Sequence, residues 1–465
     1  MRFFEGLLIL VNLEMLALEA WPALRRRQAV VRFLAGSGIA LTLLHLLFEG
    51  YRWQMLPIYA LVGALLLPRL KSSQDEDGLS VTGRVLGASV LVVGAALALA
   101  LPVPRIPQPD GPYTIGTVTY DWIDETRRET YGDAPGGPRE LLVQVWYPAA
   151  SARGLPERWL SGGATVSRAM TEWGHMPRFL LDQAALTRTH AYANTPLADA
   201  DAPYPVVLYV HGWGSFRNIN QDQIETLASH GYVVVSADHT YGALVTLFPD
   251  GRVAPNDGSA LGNDSSDEGF YRAANALLHT YAADVQFVLD RLAQLNAYDP
   301  DERFTGRLDL NRVGLFGHST GGGAVIQVCA TDPRCKAALG QDAWVIPVDE
   351  AVVEHSLAQP LALINSAGWN RAENQARQRR IYDGLAGDGY WMTIQDTTHY
   401  DFVMVPTFSP LAPALGVIGK LPARRVMALN NDYLLAFFDK YLRGADTPLL
   451  AGPSAAYPEV AFEKR

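Results

Sequence analysis

The chain has 465 residues, 49% hydrophobic and 18% charged, an apolar bias that a purely soluble enzyme rarely shows. That length allows two or three domains. A net charge of −10, with no basic block interleaved with aromatics, argues against a nucleic-acid partner. The two cysteines, Cys329 and Cys335, form neither a metal-ligand set nor a Cys-x-x-Cys redox pair.

The apolar excess is concentrated before about Pro104. Phe3 to Ala20 is interrupted by Glu5, Glu14 and Glu19, which are expensive inside a bilayer unless they face a partner helix or are protonated. A crossing helix and an interfacial helix both stay open for it. Val30 to Phe48 is apolar apart from Arg32, Ser37, Thr42 and His45. Met55 to Pro68 is short and clean, with Tyr51 and Trp53 at its outer edge as interfacial anchors would be. Val85 to Val103 carries no charge and is long enough to cross the hydrocarbon core. A cleavable signal peptide needs a basic start and a small-residue cleavage site behind one apolar run. Here there are several runs, and basic residues follow the first. Residues 1–104 are therefore predicted to be a retained all-α membrane region of three to four transmembrane helices.

Arginine and lysine set the orientation. Arg25, Arg26, Arg27 and Arg32 lie between the first and second segments, and Arg69, Lys71 and Arg84 between the third and fourth. The opposite side carries Arg2, Arg52 and Arg105. Both basic loops should be cytoplasmic, and the last span should deliver the remaining chain to the extracytoplasmic side of a cell membrane. In that compartment Cys329 and Cys335 can form a disulfide closing a short loop; a buried free thiol is the alternative.

Residues 105–111 are rich in proline and polar groups and read as a linker. Tyr113 to Trp122 and Leu141 to Tyr147 alternate as strands of an antiparallel edge would. Residues of about 150–204 have poor periodicity and read as an insertion or cap. From Pro205 onward strand and helix patterns alternate. Strands are predicted at Val206 to Val210, Tyr232 to Ala237, Val313 to Phe316, Ala337 to Gly340, Leu361 to Asn365 and Tyr390 to Ile394. Helices are predicted at Asn220 to His230, Tyr271 to Leu295 and Ala428 to Leu442. Short apolar strands between helices predict a parallel sheet covered on both faces. This places a catalytic domain at 112–450 and a C-terminal tail at 451–465.

Gly317-His318-Ser319-Thr320-Gly321 stands between a strand and a helix, the context of the nucleophile elbow of α/β-hydrolases. A sharp turn there strains the serine backbone, small neighbours admit the close approach, and the helix N-terminus favours developing negative charge. The predicted fold is thus an α/β-hydrolase preceded by an all-α transmembrane bundle. Such a serine needs a base, an orienting acid and oxyanion donors. Val210-His211-Gly212-Trp213-Gly214 follows a strand and offers the Trp213 N–H, with Thr320, the residue after the serine, as second donor. His399 is the best placed of ten histidines, past a late strand and in the serine-acid-histidine order of this fold. Asp342, ending the strand after the serine, is the preferred acid. Glu373 reads as part of a polar helix, and Asp396 and Asp401 stand close to His399 along the chain. Near the later strand end, Ser366 and Asn370 are the other polar residues.

Several stretches beyond the elbow carry a family resemblance: His211 to Arg217, Leu227 to Tyr232, Asp342-Ala343-Trp344, Pro360 to Ser366, and the His399 segment with Phe402. Over about Pro112 to Arg443 the chain resembles the plasma-type platelet-activating factor acetylhydrolases, or lipoprotein-associated phospholipases. The resemblance implies Ser319 as nucleophile, Asp342 as acid, His399 as base, and Trp213 and Thr320 as oxyanion donors. No metal or cofactor is expected. It further implies glycerophospholipids with a short or oxidised sn-2 acyl chain as substrates, and a membrane tether agrees with a lipid substrate. Two alternatives stay open: a broad short-chain carboxylesterase or polyester-type hydrolase, and a membrane module with a vestigial hydrolase domain. The apolar stretch Val403 to Leu421 either touches a lipid surface or covers the site.

Overall fold

The computed structural model describes residues 1–21, 23, 26–66, 78–133, 135–262, 267–369 and 371–465. Arg25, Pro68, Arg69, Lys71 and Asn370 lie outside the described residues. The chain divides into two compact units.

The first unit comprises Met1–Arg105, Leu160–Thr187 and Thr407–Ala412. Its helices are α1 (Phe3–Ala20), α2 (Gln28–Leu44, continued by a π-helical turn His45–Glu49), α3 (Leu56–Leu61), α4 (Val81–Ala100) and α5 (Ala164–Trp173). Among the described residues, Gln28–Glu49 and Val81–Ala100 are long and apolar enough to cross a membrane, by length and composition only. The apolar helical stretch Trp53–Leu65 is shorter. Two such helices are fewer than the three to four spans that the sequence predicts.

This unit has an apolar core around Leu8, Met15, Ala35, Met55, Ile58 and Ala98, yet it also buries polar groups and exposes large apolar ones. Glu5, Asn12, Glu19, His45, Arg52 and Gln54 are buried, whereas Phe33, Leu47, Phe48, Val85, Leu86, Val92 and Val93 are exposed. Buried polar groups have to find partners. Glu5 accepts from Arg52 Nη1 at 2.7 Å and Arg2 Nε at 2.8 Å, and Arg52 Nη2 donates to the Leu101 carbonyl at 2.5 Å. Glu19 accepts the Leu79 N–H at 2.9 Å. Two of the three carboxylates interrupting α1 thus face partners inside the unit, while Glu14 stays exposed.

The predicted insertion at 150–204 is corrected. Only its middle, Leu160–Thr187, leaves the catalytic unit, and it does so to pack with the N-terminal helices. Gln54 Nε2 donates to Gln183 Oε1 at 2.8 Å, the Trp53 and Phe179 rings meet edge-on at 5.1 Å, and Thr187 Oγ1 donates to the Pro104 carbonyl at 3.0 Å. The poor periodicity has a reason: this segment is shaped by partners distant in sequence.

The second unit holds Ile106–Trp159, Arg188–Pro406 and Pro413–Arg465. Its strands are β1 (Thr114–Arg128), β2 (Pro138–Ala149), β3 (Ala191–Ala193), β4 (Tyr204–Val210), β5 (Val233–Asp238), a small hairpin β6 (Val245–Leu247) and β7 (Val253–Pro255), β8 (Leu308–His318), β9 (Cys335–Gln341), β10 (Leu361–Ser366), β11 (Gly389–Ile394) and β12 (Val460–Lys464). Among the described residues they form a ten-stranded sheet in the order β12-β11-β10-β9-β8-β4-β5-β2-β1-β3, with the hairpin apart. β5, β4, β8, β9, β10 and β11 run parallel, and β2 and β12 flank them antiparallel. The flanking helices are α6 (Gln221–Ser229), α7 (Asp267–Ala297), α8 (Thr320–Thr331), α9 (Glu350–His355), α10 (Ala372–Gly384) and α11 (Ala423–Arg443).

β4 and β5 are buried along their whole length, as parallel strands covered on both faces must be. The expected C-terminal tail is also corrected, because β12 pairs with β11 from Ile394↔Val460 to Tyr390↔Lys464. Its Val-Ala-Phe-Glu-Lys is too short to stand out against the preceding prolines, and the pairing supplies what local pattern lacks. Register aligns Val210 with Gly317, Gly317 with Gly340, and Gly340 with Leu363, so the C-terminal ends of β4, β8, β9 and β10 share one sheet edge.

Cys329 in α8 and Cys335 opening β9 are joined as a disulfide, with Cα atoms 5.1 Å apart. It closes the short return from the helix that begins at the elbow. Full-length protein denatured without reductant is expected to take up no alkylating label at either cysteine, and one label at each after reduction. Cys335→Ser should lower stability by about 2 kcal/mol, the loop-closure entropy of so short a ring, read by denaturant melting.

Candidate active site

Ser319 stands between β8 and α8 with φ 56° and ψ −122°, a left-handed conformation that side-chain-bearing residues resist. The surrounding backbone imposes it. The Ser319 N–H donates to the Gln341 carbonyl at 3.0 Å, and the Ser319 carbonyl accepts from Trp344 N–H at 2.8 Å and Gly323 N–H at 3.2 Å. Two glycines make this approach possible. A Cβ on Gly317 would lie 2.5 Å from the Gly321 carbonyl, and one on Gly321 would fall on the carbonyl of Val210. The elbow is thereby pressed against the end of β4, where the His211 turn begins.

That turn has a determined orientation. His211 is fully buried, its Nδ1 lies 2.8 Å from the Gly212 carbonyl, and its Nε2 accepts the His239 N–H at 3.1 Å. A carbonyl only accepts, so Nδ1 carries the proton and the ring is neutral. Burial, and then the neighbouring His239, holds the imidazole well below its usual range. The Gly212–Trp213 peptide is planar and trans, so with its carbonyl gripped by His211 its Trp213 N–H points away from that ring. A Cβ built on Gly212 would stand 3.1 Å from the Ser319 Cβ. Thr320, almost fully buried, opens α8 and has the free N–H of a first helical residue.

Behind the turn lies a charged cluster that no local motif announces. His239 stacks on Tyr281 with centroids 3.9 Å apart, and its Nδ1 donates to Asp284 Oδ2 at 3.0 Å. Arg139 binds both oxygens of Asp284, at 3.1 and 2.7 Å, and the Thr240 carbonyl at 2.9 Å. Burial alone would favour a neutral acid, yet Arg139 and His239 hold the Asp284 carboxyl well below the usual carboxylate range. The His239 carbonyl accepts Gly242 N–H at 2.7 Å, and the Gly242 carbonyl accepts Gly214 N–H at 3.0 Å. Both ends of the Trp213 turn are therefore tied to one buried ion cluster.

Asp342 and His399 come together as expected: Asp342 Oδ2 is 3.1 Å from His399 Nδ1. Asp342 is fully buried at the end of β9, also with a left-handed backbone. Ser366, ending β10, donates its N–H to Oδ1 at 2.7 Å and its hydroxyl to Oδ2 at 2.6 Å. Burial pushes the Asp342 carboxyl up to about 7, against the opposing bonds from Ser366. Burial also pushes the His399 imidazole down to about 3, helped by the cation of Arg371. Burial thus works against the charged form of each partner. Asp396 and Glu373 do not join the pair. Asp401 instead caps the turn His399–Phe402, accepting from Thr398 N–H and Gly419 N–H at 2.7 Å each. Asn220 and Gln223 hold the Phe402 carbonyl at 2.9 and 3.0 Å.

His318, the residue before Ser319, brings the elbow to this pair. Its Nε2 donates to the His399 carbonyl at 3.0 Å, and the two rings lie 4.4 Å apart. On another side the Trp369 ring stacks on His399 at 4.4 Å. A serine on a strained elbow, an imidazole and a buried carboxyl at one sheet edge are groups that can carry out acyl transfer. Among the described residues, Glu5, His45 and Glu49 of the first unit could jointly face a metal ion, but Arg2 and Arg52 already occupy Glu5.

Comparison with known proteins matches residues 100–447 to the family model described as platelet-activating factor acetylhydrolase, isoform II. The chain belongs to that family. Relatives include the platelet-activating factor acetylhydrolase of Cavia porcellus, 26% identical over 72% of this chain and 78% of its own. A probable 1-alkyl-2-acetylglycerophosphocholine esterase of Arthroderma benhamiae is 21% identical over 80% and 98%. Among solved structures, a ferulic acid esterase from Streptomyces cinnamoneus superposes with a TM-score of 0.64 at 31% identity, covering 78% of this chain and 99% of that one. The protein is a carboxylic ester hydrolase with the α/β-hydrolase-like sheet of these relatives, and its family points to phospholipid esters.

Ser366 had a visible signal, a hydroxyl at the first position past a predicted strand on the site edge. Trp369, Arg139, His239 and Asp284 had none. Because Ser366 stabilises the charged form of Asp342, Ser366→Ala should raise the titration of the Asp342–His399 pair. The acid limb of kcat/KM for ester hydrolysis should then move to higher pH by roughly half a unit to one unit. An unmoved limb would exclude this contact from the working site.

Proposed function

We propose that the protein is a membrane-tethered serine esterase that hydrolyses the sn-2 ester of glycerophospholipids carrying a short or oxidised acyl chain. Ser319 is the nucleophile, His399 the general base and Asp342 the acid that orients it. His399 takes the serine proton as Oγ attacks the ester carbonyl, and the N–H groups of Trp213 and Thr320 receive the oxyanion. Collapse expels the alcohol, protonated by His399, and leaves an acyl-serine. Water activated by His399 then releases the acid. The neutral imidazole suits the first proton transfer, and the buried carboxylate gains its partner when the imidazolium forms.

The observation that carries this reading is the Asp342–His399 contact beside the strained Ser319 elbow, in a chain of the platelet-activating factor acetylhydrolase family. The tether is supported by the first unit, which exposes Phe33, Leu47, Phe48, Val85, Leu86, Val92 and Val93 on two helices long and apolar enough to cross a membrane. Apolar side chains facing outward suit lipid and are costly in water. The arginine asymmetry of the sequence favours the extracytoplasmic side for the catalytic unit, and the Cys329–Cys335 disulfide agrees with an oxidising compartment.

A second reading has its own support. The ferulic acid esterase shares 31% identity with this chain, and the Cavia porcellus acetylhydrolase 26%. A bis(hydroxyethyl) terephthalate hydrolase of Streptomyces coelicolor is 24% identical over 36% of this chain. An aromatic or small polyester substrate would follow from these.

Full-length protein in detergent, given phospholipids varied only at sn-2 alongside aryl esters, separates the two. The expected result is the highest kcat/KM for sn-2 acetyl phospholipid, falling as the chain lengthens. Preference for the aryl esters would establish the second reading instead. Ser319→Ala should lower kcat by about 10⁴-fold or more on every substrate; unchanged turnover would reject the nucleophile assignment.

A further inference from the structure

The loop from β10 to α10 carries a cation beside the catalytic pair that the mechanism above does not use. It is firmly held. Ala367 N–H donates to the Ile394 carbonyl at 3.1 Å, Gly368 N–H to the Thr397 carbonyl at 2.9 Å, and Trp369 N–H to Ser366 Oγ at 3.3 Å. These bonds fasten it to the segment that delivers His399. Trp369 lies face-on to His399, with centroids 4.4 Å apart and planes 25° from parallel. The guanidinium of Arg371 sits over the Trp369 ring, 5.7 Å from its centroid. Arg371 is therefore one aromatic ring removed from the base, and its charge is felt there, second to burial in depressing the His399 imidazole.

Its neighbours differ from it. Arg377 pairs with Glu350, Arg379 with Asp383 and Glu463, and Arg380 with Glu350. Arg371 is exposed and forms no ion pair with a carboxylate among the described residues. A cation that merely decorates a surface gains little from position, whereas this one weakens the resting proton affinity of the base. An anion bound at Arg371 would offset that effect. In a glycerophospholipid the phosphate is carried by the carbon next to the sn-2 ester. When the ester reaches the serine, the phosphate must lie within about a side chain's length of the base.

We infer that Arg371, held over the Trp369 ring, recognises the phosphodiester of the substrate and so selects phospholipids over neutral esters of the same acid. The inference rests on the phospholipid reading proposed above. Guanidinium suits the task, since it presents two parallel donors to phosphate oxygens while its plane packs on the indole.

The test is a ratio. Full-length protein in mixed micelles is given 1-alkyl-2-acetylglycerophosphocholine and the matched 2-acetyl diether whose phosphocholine is replaced by a methyl ether. Wild type should favour the phosphorylated ester. Arg371→Gln should lower that kcat/KM ratio roughly ten- to a hundredfold, the worth of a hydrogen bond to a charged group, and Arg371→Lys should keep part of it. The wild-type preference should weaken with added salt, and that of Arg371→Gln much less. A high wild-type ratio preserved in Arg371→Gln overturns the inference and leaves the phospholipid reading standing. Equal losses on both esters also overturn it, since they place Arg371 in the upkeep of His399. A wild-type ratio at or below one overturns the inference and the phospholipid reading together.

Discussion

Everything at the sheet edge depends on how closely α8 approaches the end of β4. A side chain at Gly321 would occupy the place of the Val210 carbonyl, so the helix bearing Ser319 at its head and the turn bearing Trp213 are in backbone contact. This proximity holds Ser319 in a left-handed conformation worth about 1–3 kcal/mol of strain. The same proximity brings Gly212 against Ser319, where a Cβ on the glycine would stand 3.1 Å from the serine Cβ. The bonds from Ser319 to Gln341 and Trp344 carry the constraint to the end of β9, where Asp342 adopts a positive φ of its own. A local strain is thus shared by three consecutive strand ends of the sheet.

Two buried polar clusters lock the elements that this contact leaves free. On one side Arg139, Asp284 and His239 hold the His211–Gly214 turn through its histidine and its second glycine. On the other, Ser366 grips Asp342 while Asp401, Asn220 and Gln223 shape the His399 turn. Both clusters are largely satisfied, so their polar groups rigidify the site without leaving a charge stranded in low dielectric. Such rigidity suits the proposed oxyanion role, because an oxyanion gains most from N–H groups that need no reorganisation.

Legibility in the sequence followed the range of the interactions. Gly317 to Gly321 and His211 to Gly214 were readable because steric demands confine them to neighbouring residues. Asp342 and His399 were placed by their position past strands, a rule of topology. β12 and the packing of segment 160–187 have no local signature, because what organises them is pairing with β11 in one case and packing with Trp53, Gln54 and Pro104 in the other. His239 and Asp284 were invisible for a related reason. They stand 45 residues apart and act through a third residue, Arg139, 145 positions from Asp284. The three carboxylates of α1 argued against burial in lipid, and a partner such as Arg52 for Glu5 is a fact of the fold.

The first unit mixes apolar and polar groups in its interior. Helix α1 buries Leu8, Met15, Leu16 and Leu18 in the apolar core of the unit, and buries Glu5, Asn12 and Glu19 beside them while Phe3, Leu10 and Leu13 stay outward. Part of its coherence therefore comes from hydrogen bonds among the buried polar groups. The Arg52 bonds to Glu5 and to the Leu101 carbonyl do this work at the helix ends, where α4 runs into the linker. The Ser409 hydroxyl donates to the Ala100 carbonyl at 2.7 Å, so residues shortly after His399 in the chain belong to the same helical unit. The proposed tether is therefore more than an N-terminal appendage. Two stretches interior to the catalytic sequence are built into it, and a deletion that stops at residue 104 would leave both without their packing partners.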